Sequence, residues 1–369
     1  MPKGMAPLRT MFVVGHPAHV HLFRNSIAEL TLRGHHVDVA AIDKESTLQL
    51  LAAYDIDFRV VGRNVSSMGW KLLDTPSKDI RLVRFLKEAQ TDMVVSTGSP
   101  YAAQASAMRG IPHIAFSDTE IAVAVLRTML PFTDAVCTPS VFSEDLGTKH
   151  VRYEGYKELA YLHPFRFKPQ ASVLDLIGAS RDERLIVVRF ASWDSSHDIR
   201  ADGLVFRDPV TILSFIRHLG TYGRVLITSE RKLPSELNDF VLEIPLERIH
   251  DLLFFSSLYI GEGATMASEA GVLGTPWIFI SNSSRGYLDD QEQKYGLGFW
   301  ETSLDGAMDR VGQVFAIPDL KSSWAAKRQA LLRDKIDVTG FIVRFIEDWP
   351  ASLGAIKARI AAPLREAAE

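Results

Sequence analysis

"GEGATMASEAGVLGTPWIFI", residues Gly261 to Ile280, is the stretch on which the reading of the chain turns. Gly261, Gly263 and Ala264 open what the spacing predicts to be a helix, Glu269 rides on it, and Gly274-Thr275-Pro276 leads into an apolar strand. A helix start made of almost nothing but backbone presents unpaired N–H groups and the positive end of the helix dipole. Together these favour anions, phosphates above all. Thr265 can add a hydroxyl. Glu269 follows four residues later on the same face, where a carboxylate can accept hydrogen bonds from both hydroxyls of a ribose. The bare helix start thus suits a diphosphate, and the glutamate suits the sugar attached to it. A small-residue helix packed tightly on a strand, with Glu269 solvated, fits the same letters, because glycine patterns are weak signals.

The strand-glycine-helix rhythm of this stretch extends in both directions. "TMFVVG" (10–15) precedes a helix from about His19 to Arg33 closed by Gly34, and "HVDVAAI" (36–42) a helix over 46–54. "FRVVG" (58–62), a helical pattern over 77–90, "DMVVST" (92–97), the helix "YAAQASAMRG", "IPHIAFSD" (111–118) and "DAVCTPS" (134–140) continue it. The rhythm stops between about Tyr153 and Arg184, where "YLHPFRFKPQAS" carries two prolines and no strand. It restarts with "RLIVVRF" (184–190), a helix over Pro209 to Leu219, "RVLITS" (224–229), "SLYIG" (257–261) and "PWIFIS" (276–281). Helical patterns fill the remainder. Alternating strands and helices imply parallel sheets covered on both faces. The expectation is an α/β chain of two Rossmann-like, doubly wound domains, 1–165 and 166–369. In open α/β sheets ligands sit beyond the carboxyl ends of the strands, so two such domains are expected to face across a cleft that holds the site.

Composition narrows the function classes. At 369 residues the chain is long enough for two cores. Its 41 Lys and Arg against 45 Asp and Glu leave a formal charge of −4, so no basic field recruits nucleic acid. No apolar run approaches the roughly 20 residues needed to span a bilayer, and Met11 to Val14 is too short for a signal-peptide core. A cytoplasmic protein is expected. The one cysteine, Cys137, rules out an intramolecular disulfide. "IAVAVLRTMLPF" (121–132) reads as core or a domain wall; peripheral membrane contact, toward a lipid-linked acceptor, is the alternative.

The Gly261–Ile280 stretch resembles the donor-binding element of GT-B fold nucleotide-sugar enzymes, in which small residues hold the diphosphate and a following glutamate takes the ribose. It is similar to the lipid-linked N-acetylglucosaminyltransferase of peptidoglycan synthesis and to the non-hydrolysing UDP-N-acetylglucosamine 2-epimerase. A resemblance over nearly the whole chain rests on "GHPAHVHLFRNSIAELTLRGHHVDVAAIDKESTLQLL", "FSDTE", "YEGYKELAYLHPF", "VVRFASWDSSH" and "RGYLDDQEQKYGLGF". These are similar to a prokaryotic family of predicted glycosyltransferases known chiefly as a domain of unknown function. The resemblance implies a GT-B fold and transfer of a sugar from a nucleotide diphosphate-sugar, UDP-linked, to a glycan or lipid-linked acceptor. It implies no metal and no further cofactor. A nucleotide-sugar epimerase or hydrolase is the alternative enzyme, and a non-catalytic nucleotide-sugar binder the alternative outside catalysis.

Other constellations carry the candidate chemistry. In "GHPAHVH" (15–21), Gly15 allows a tight turn after the first strand, and His16, His19 and His21 crowd one loop and helix start. His19 and His21, two apart, do not share a helix face. A zinc site lacks an evident third or fourth ligand. The GT-B resemblance places this loop under the sugar and acceptor with His19 or His21 as general base; helix capping with surface histidines is the plain alternative. "FSDTE" (116–120) offers Asp118 and Glu120 as a base, Glu120 matching an essential carboxylate of the epimerase; helix capping by Asp118 or Thr119 is the alternative. Gly98-Ser99-Pro100 departs from the epimerase, which carries an aspartate in the matching loop. Arg189 and His197 of "VRFASWDSSH" can offset charge on a departing diphosphate, or belong to an ordinary surface loop. In "RGYLDDQEQKYG" (285–296), Asp290 and Gln291 match the pair by which GT-B transferases grip donor-sugar hydroxyls; a solvated helix start fits too. "DID" (55–57) spells the D-x-D of metal-dependent transferases but sits in a turn before a strand, and is discounted.

Overall fold

The computed structural model describes residues 6–63, 80–118, 123–190, 209–229 and 233–355. The chain divides into two compact units, one of Met1–Tyr161 together with Ile336–Glu369, the other of Leu162–Lys335.

The first unit is built on seven strands: β1 (Arg9–Val14), β2 (His36–Asp43), β3 (Arg59–Arg63), β4 (Met93–Thr97), β5 (His113–Phe116), β6 (Ala135–Pro139) and β7 (His150–Tyr153). Their order is β3-β2-β1-β4-β5-β6-β7, and every pair is parallel. The order reverses between β1 and β4, so the loops after these strands flank a topological switch point. Near-continuous apolar strands are what a sheet buried on both faces requires. Met11, Val13, Ala40, Ile42 and Val94 pack against Leu82, Phe85 and Leu86 of a helix over residues 80–88 and against Ala102 and Ala105. The helix Pro17–Leu32 starts with proline at a position that needs no N–H, and Pro100–Arg109 ends at Gly110, left-handed at φ 65°.

His113 on β5 is fully buried. The Thr133 hydroxyl donates to the Met129 carbonyl at 3.0 Å, so Thr133 Oγ1 accepts from His113 Nδ1 (2.9 Å) and His113 Nε2 accepts from Ser96 Oγ (2.8 Å). Burial holds this imidazole neutral, with its pKa lowered to about 3. In the unfolded chain it titrates near 6.5. The stabilisation is therefore complete above pH 6.5 and declines as pH falls toward 3, by about 1.4 kcal/mol per unit. Between pH 6.5 and 5 the urea midpoint is expected to fall by the equivalent of about 2 kcal/mol for this group. His113→Asn should show a shallower pH slope; parallel slopes would contradict the assignment.

The first unit also recovers the end of the chain. In the helix Val338–Glu347, Val338, Ile342, Val343, Phe345 and Ile346 are buried, and the helix packs on Pro17–Leu32. Thr339 Oγ1 donates to the Ala160 carbonyl (2.6 Å), and the Glu347 carboxylate accepts from Arg33 Nη1 (2.8 Å) and His35 Nε2 (3.1 Å). The expected division at 165/166 therefore needs correction: residues from Ile336 onward belong with the first unit. The apolar face of this helix has its matching surface there, which no continuous division of the chain can express.

The second unit has five parallel strands, β8 (Leu185–Phe190), β9 (Arg224–Ser229), β10 (Leu258–Gly261), β11 (Trp277–Ile280) and β12 (Gly298–Glu301), in the order β12-β11-β10-β8-β9. Ile186, Val188, Ile260 and Ile278 face the helices Pro209–Leu219 and Leu304–Phe315 through Ile212, Phe215, Ile216, Val311 and Val314. The order reverses between β8 and β10. Arg189 and Gly261, which pair in register, therefore mark the switch point of this sheet. Both units are Rossmann-like α/β folds.

Candidate functional site

In the second unit the backbone itself builds the site. Gly261 ends β10 at φ 152°, and a Cβ there would fall 2.2 Å from the carbonyl oxygen of Arg189. That carbonyl accepts from Glu262 N at 3.0 Å, which locks the turn to β8. Gly263 then occupies the cap position of the helix Ala264–Leu273 and offers no side chain to its first turn. A Cβ on Gly263 would meet Arg189 Cγ and Tyr259 Oη, each at 2.9 Å, and the buried Tyr259 hydroxyl donates to the Gly263 carbonyl at 2.8 Å. The helices beginning at Pro17, Pro100, Leu304 and Leu320 have first-turn N–H groups bonded by the side chains of His16, Ser99, Ser303 and Asp319. Gly286–Gln293 and Val338–Glu347 share the lack of a side-chain cap; what sets Ala264–Leu273 apart is its place at the switch point. Residues 262–266 are only partly buried. The result is a positive helix end without a side-chain cap at a sheet switch point, with Arg189 packed against Gly263, the residue that precedes the first turn.

Glu269 sits one turn further on. It is buried rather than solvated, with 7% of its side chain exposed, and His250 Nε2 lies 3.0 Å from Glu269 Oε1. An ionised carboxylate only accepts, so Nε2 carries the proton. His250 belongs to the helix Ile249–Phe255, which packs on Ala264–Leu273. Nothing in the sequence pattern pointed to His250, because the pairing joins two helices whose partnership only the fold creates.

Gln291 departs from its expected role. It is fully buried, its Oε1 accepts from Trp277 Nε1 at 3.1 Å, and its Nε2 donates to Ser268 Oγ at 2.8 Å. The turn of the helix Gly286–Gln293 buries it with Tyr287 and Leu288. Its amide is spent on holding that helix to β11 and to Ala264–Leu273, not presented to a sugar. Asp290 pairs with Lys335 Nζ at 3.0 Å, with 21% of its side chain exposed. This ion pair ties the same helix to the residue that ends Leu320–Asp334.

In the first unit, a smaller cluster gathers after β1 and β5. Gly15 N donates to His19 Nδ1 at 3.2 Å, and His16, the cap of Pro17–Leu32, accepts from Ala18 N at 3.1 Å. His16 Nε2 lies 3.1 Å from Glu45 Oε2, and that hydrogen bond holds the Glu45 carboxyl at about 2. Burial first, then the positive charges of His16, Lys157 and Lys44, hold His19 well below the usual histidine range and hence neutral. With Nδ1 accepting, the proton of the neutral ring is on Nε2. His19 is therefore a hydrogen-bond donor here, and acting as the expected base would require the Gly15 bond to break. His21 is not brought to this cluster. It is buried, stacked on Tyr161 with centroids 5.3 Å apart, and its Nδ1 is 3.3 Å from the Tyr54 hydroxyl. A two-residue step on a helix sends neighbouring histidines to different surroundings.

Asp118, directly after β5, accepts from Lys157 Nζ, and Lys157 also lies 4.0 Å from Glu158 Oε1. Lys157 was missed in the sequence; its only signal was its place within the resembling "YEGYKELAYLHPF". Glu120, His197 and the loop around Trp193 lie outside the described residues. Asp55 and Asp57 are exposed in the turn before β3. Among the described residues no three His, Cys, Asp or Glu side chains are grouped to hold a metal ion, and no helix is long and apolar enough to cross a membrane.

Comparison with known proteins bears on the fold. A Neisseria meningitidis UDP-N-acetylglucosamine 2-epimerase, solved with UDP-N-acetylglucosamine bound, superimposes with a TM-score of 0.65 at 12% identity, covering 96% of this chain and 99% of that one. The spinosyn forosaminyltransferase SpnP superimposes with a TM-score of 0.62 at 14% identity, covering 92% of this chain and all of that one. At such identities the likeness shows the fold, the two-unit Rossmann-like architecture of GT-B enzymes. In sequence, an uncharacterized protein of Methanocaldococcus jannaschii is 23% identical over 276 residues, 70% of this chain and 78% of its own length. Residues 11–289, which include most of β1, the Gly263 helix and the first half of the helix Gly286–Gln293, match the family described as "Protein of unknown function (DUF354)", and the chain belongs to that family.

Proposed function

We propose that this protein is a glycosyltransferase that takes a sugar from a nucleotide diphosphate-sugar, UDP-linked, and passes it to a glycan or lipid-linked acceptor. The observation that carries the reading is the uncapped start of Ala264–Leu273 beside Arg189, with a buried glutamate one turn in. The N–H groups of Ala264 and Thr265 and the Arg189 guanidinium bind the diphosphate and offset the charge that develops as it leaves. They do the work a cation does in metal-dependent transferases. Glu269, one turn into the same helix, accepts from the ribose hydroxyls. His197 and Asp290 are the candidates for further donor contacts, and Glu120 is a further candidate for the base. The enzymes of like fold support the nucleotide-sugar class, since one was solved with UDP-N-acetylglucosamine and another is named a sugar transferase.

In the first unit, His19 donates through Nε2 to an oxygen of the reacting sugar or acceptor. Asp118, held by Lys157, is the carboxylate nearest to a base role, since an ionised carboxylate accepts a proton directly. Gly15 keeps the turn tight enough for Tyr101 to pack against it. Incubation with a panel of nucleotide-sugars, with and without cell extract, separates the possible activities. Free nucleotide diphosphate appearing only with extract is the expected result. A changed sugar without nucleotide release would instead show an epimerase, and binding without turnover in any mixture would show a non-catalytic binder.

A further inference from the structure

We infer that His250 is the positioning residue for ribose recognition, holding the Glu269 carboxylate oriented toward the nucleotide; this rests on the ribose role proposed for Glu269. His250 is 1% exposed and Glu269 7% exposed at the side chain, and they meet at 3.0 Å. A buried carboxylate is oriented by the donors that meet it, and it suits a pair of ribose hydroxyls as an acceptor. His250 Nε2–H supplies the required donor whether the imidazole is neutral or charged, because Nε2 carries a proton in both.

Two further contacts bear on the placement of His250, one on its ring and one on its helix. The Phe167 ring meets the His250 imidazole edge-on, with centroids 6.3 Å apart and planes at 83°. Thr275 Oγ1 donates to the Leu253 carbonyl at 2.6 Å, which ties the Ile249–Phe255 helix to the turn that follows Ala264–Leu273. His250 therefore sits on a braced element while Glu269 lies one turn inside the helix whose start receives the diphosphate. A residue that only filled space would not couple to which nucleotide binds. One that sets the carboxylate should control discrimination between ribose and deoxyribose.

The test compares binding of UDP and 2′-deoxyuridine diphosphate by calorimetric titration to the full chain, to Glu269→Ala and to two His250 variants. Glutamine places its amide nitrogen near the position of imidazole Nε2, whereas asparagine places it near Nδ1, too short to reach Glu269. The intact protein is expected to prefer UDP by about tenfold, the value of one charge-assisted bond. H250N should reduce that preference to near unity while binding 2′-deoxyuridine diphosphate almost as before, and H250Q should keep most of it. Full preference in a folded H250N, together with its loss in E269A, would overturn the role of His250 and leave the ribose reading of Glu269 standing. Equal binding of the two nucleotides by the intact protein, or an unchanged preference in E269A, would remove the ribose reading and this inference together. Far-ultraviolet circular dichroism confirms that each variant is folded; if H250N is not, H250F, which fills the space without a donor, takes its place, and full preference in it overturns the inference in the same way.

Discussion

Glu269→Ala is expected to weaken UDP binding at least tenfold. A charge-assisted hydrogen bond to a carboxylate contributes roughly 1.5–3 kcal/mol, and every 1.4 kcal/mol is a factor of ten in affinity. The variant also leaves His250 buried beside a gap, so its thermal midpoint should fall by the equivalent of about 1–3 kcal/mol without loss of the fold. Glu269→Gln keeps the shape and an acceptor for His250 but loses the charge, and should lie between the two in affinity. Calorimetric titration at one pH reads all three. Wild-type affinity in Glu269→Ala would return the residue to a purely internal role.

Gly261→Ala is expected to do more damage than any other single methyl group in the second unit's site. The added Cβ would stand 2.2 Å from a backbone oxygen, at a φ of 152° that side chains rarely adopt. Backbone cannot swing aside as a flexible side chain can. The register of Gly261 with Arg189 and the bond from Glu262 N must give way together. A cost of about 3 kcal/mol or more is expected for such an overpacked, strained position. The helix start moves with the turn, so nucleotide affinity should fall with stability rather than independently of it. Denaturant titration and calorimetry on the same preparation test this; a variant with the stability and affinity of the parent would show that the turn does not set the site.

The parts of the fold legible in the sequence were those with strong periodicity or clear punctuation. The helix Pro209–Leu219 was readable to the residue from its apolar spacing, and Gly34 and Gly110 marked helix ends as left-handed glycines do. The strands β7 and β12 escaped because "HVRY" and "GFWE" mix charged residues or glycine among few apolar ones and lack the continuous apolar run that marks the equally short β11. In β12, moreover, Gly298 lies flat against the Trp277 ring, a contact no local pattern announces. At the site, the glycine-led helix start was legible because its chemistry is backbone chemistry written in small residues. The partners of charged side chains were not. His250 lies 19 residues from Glu269, and Lys157 lies 39 from Asp118, and sheet topology alone brings each pair together. The sugar role expected of Gln291 came from its resemblance to the acidic-Gln element of GT-B transferases, and no local pattern tells that Trp277 and Ser268 enclose it. His19 and His21 differ for a related reason, one joined to the Gly15 turn and the other shelved among Tyr54 and Tyr161.

The central claim is that the start of Ala264–Leu273 holds a nucleotide diphosphate, and a crystal structure of the protein soaked with UDP tests it most directly. The account predicts diphosphate oxygens within hydrogen-bond distance of the Ala264 and Thr265 amides and the Arg189 guanidinium, with the ribose hydroxyls on Glu269. UDP bound at full occupancy elsewhere on the chain, with that helix start left to solvent, would contradict it.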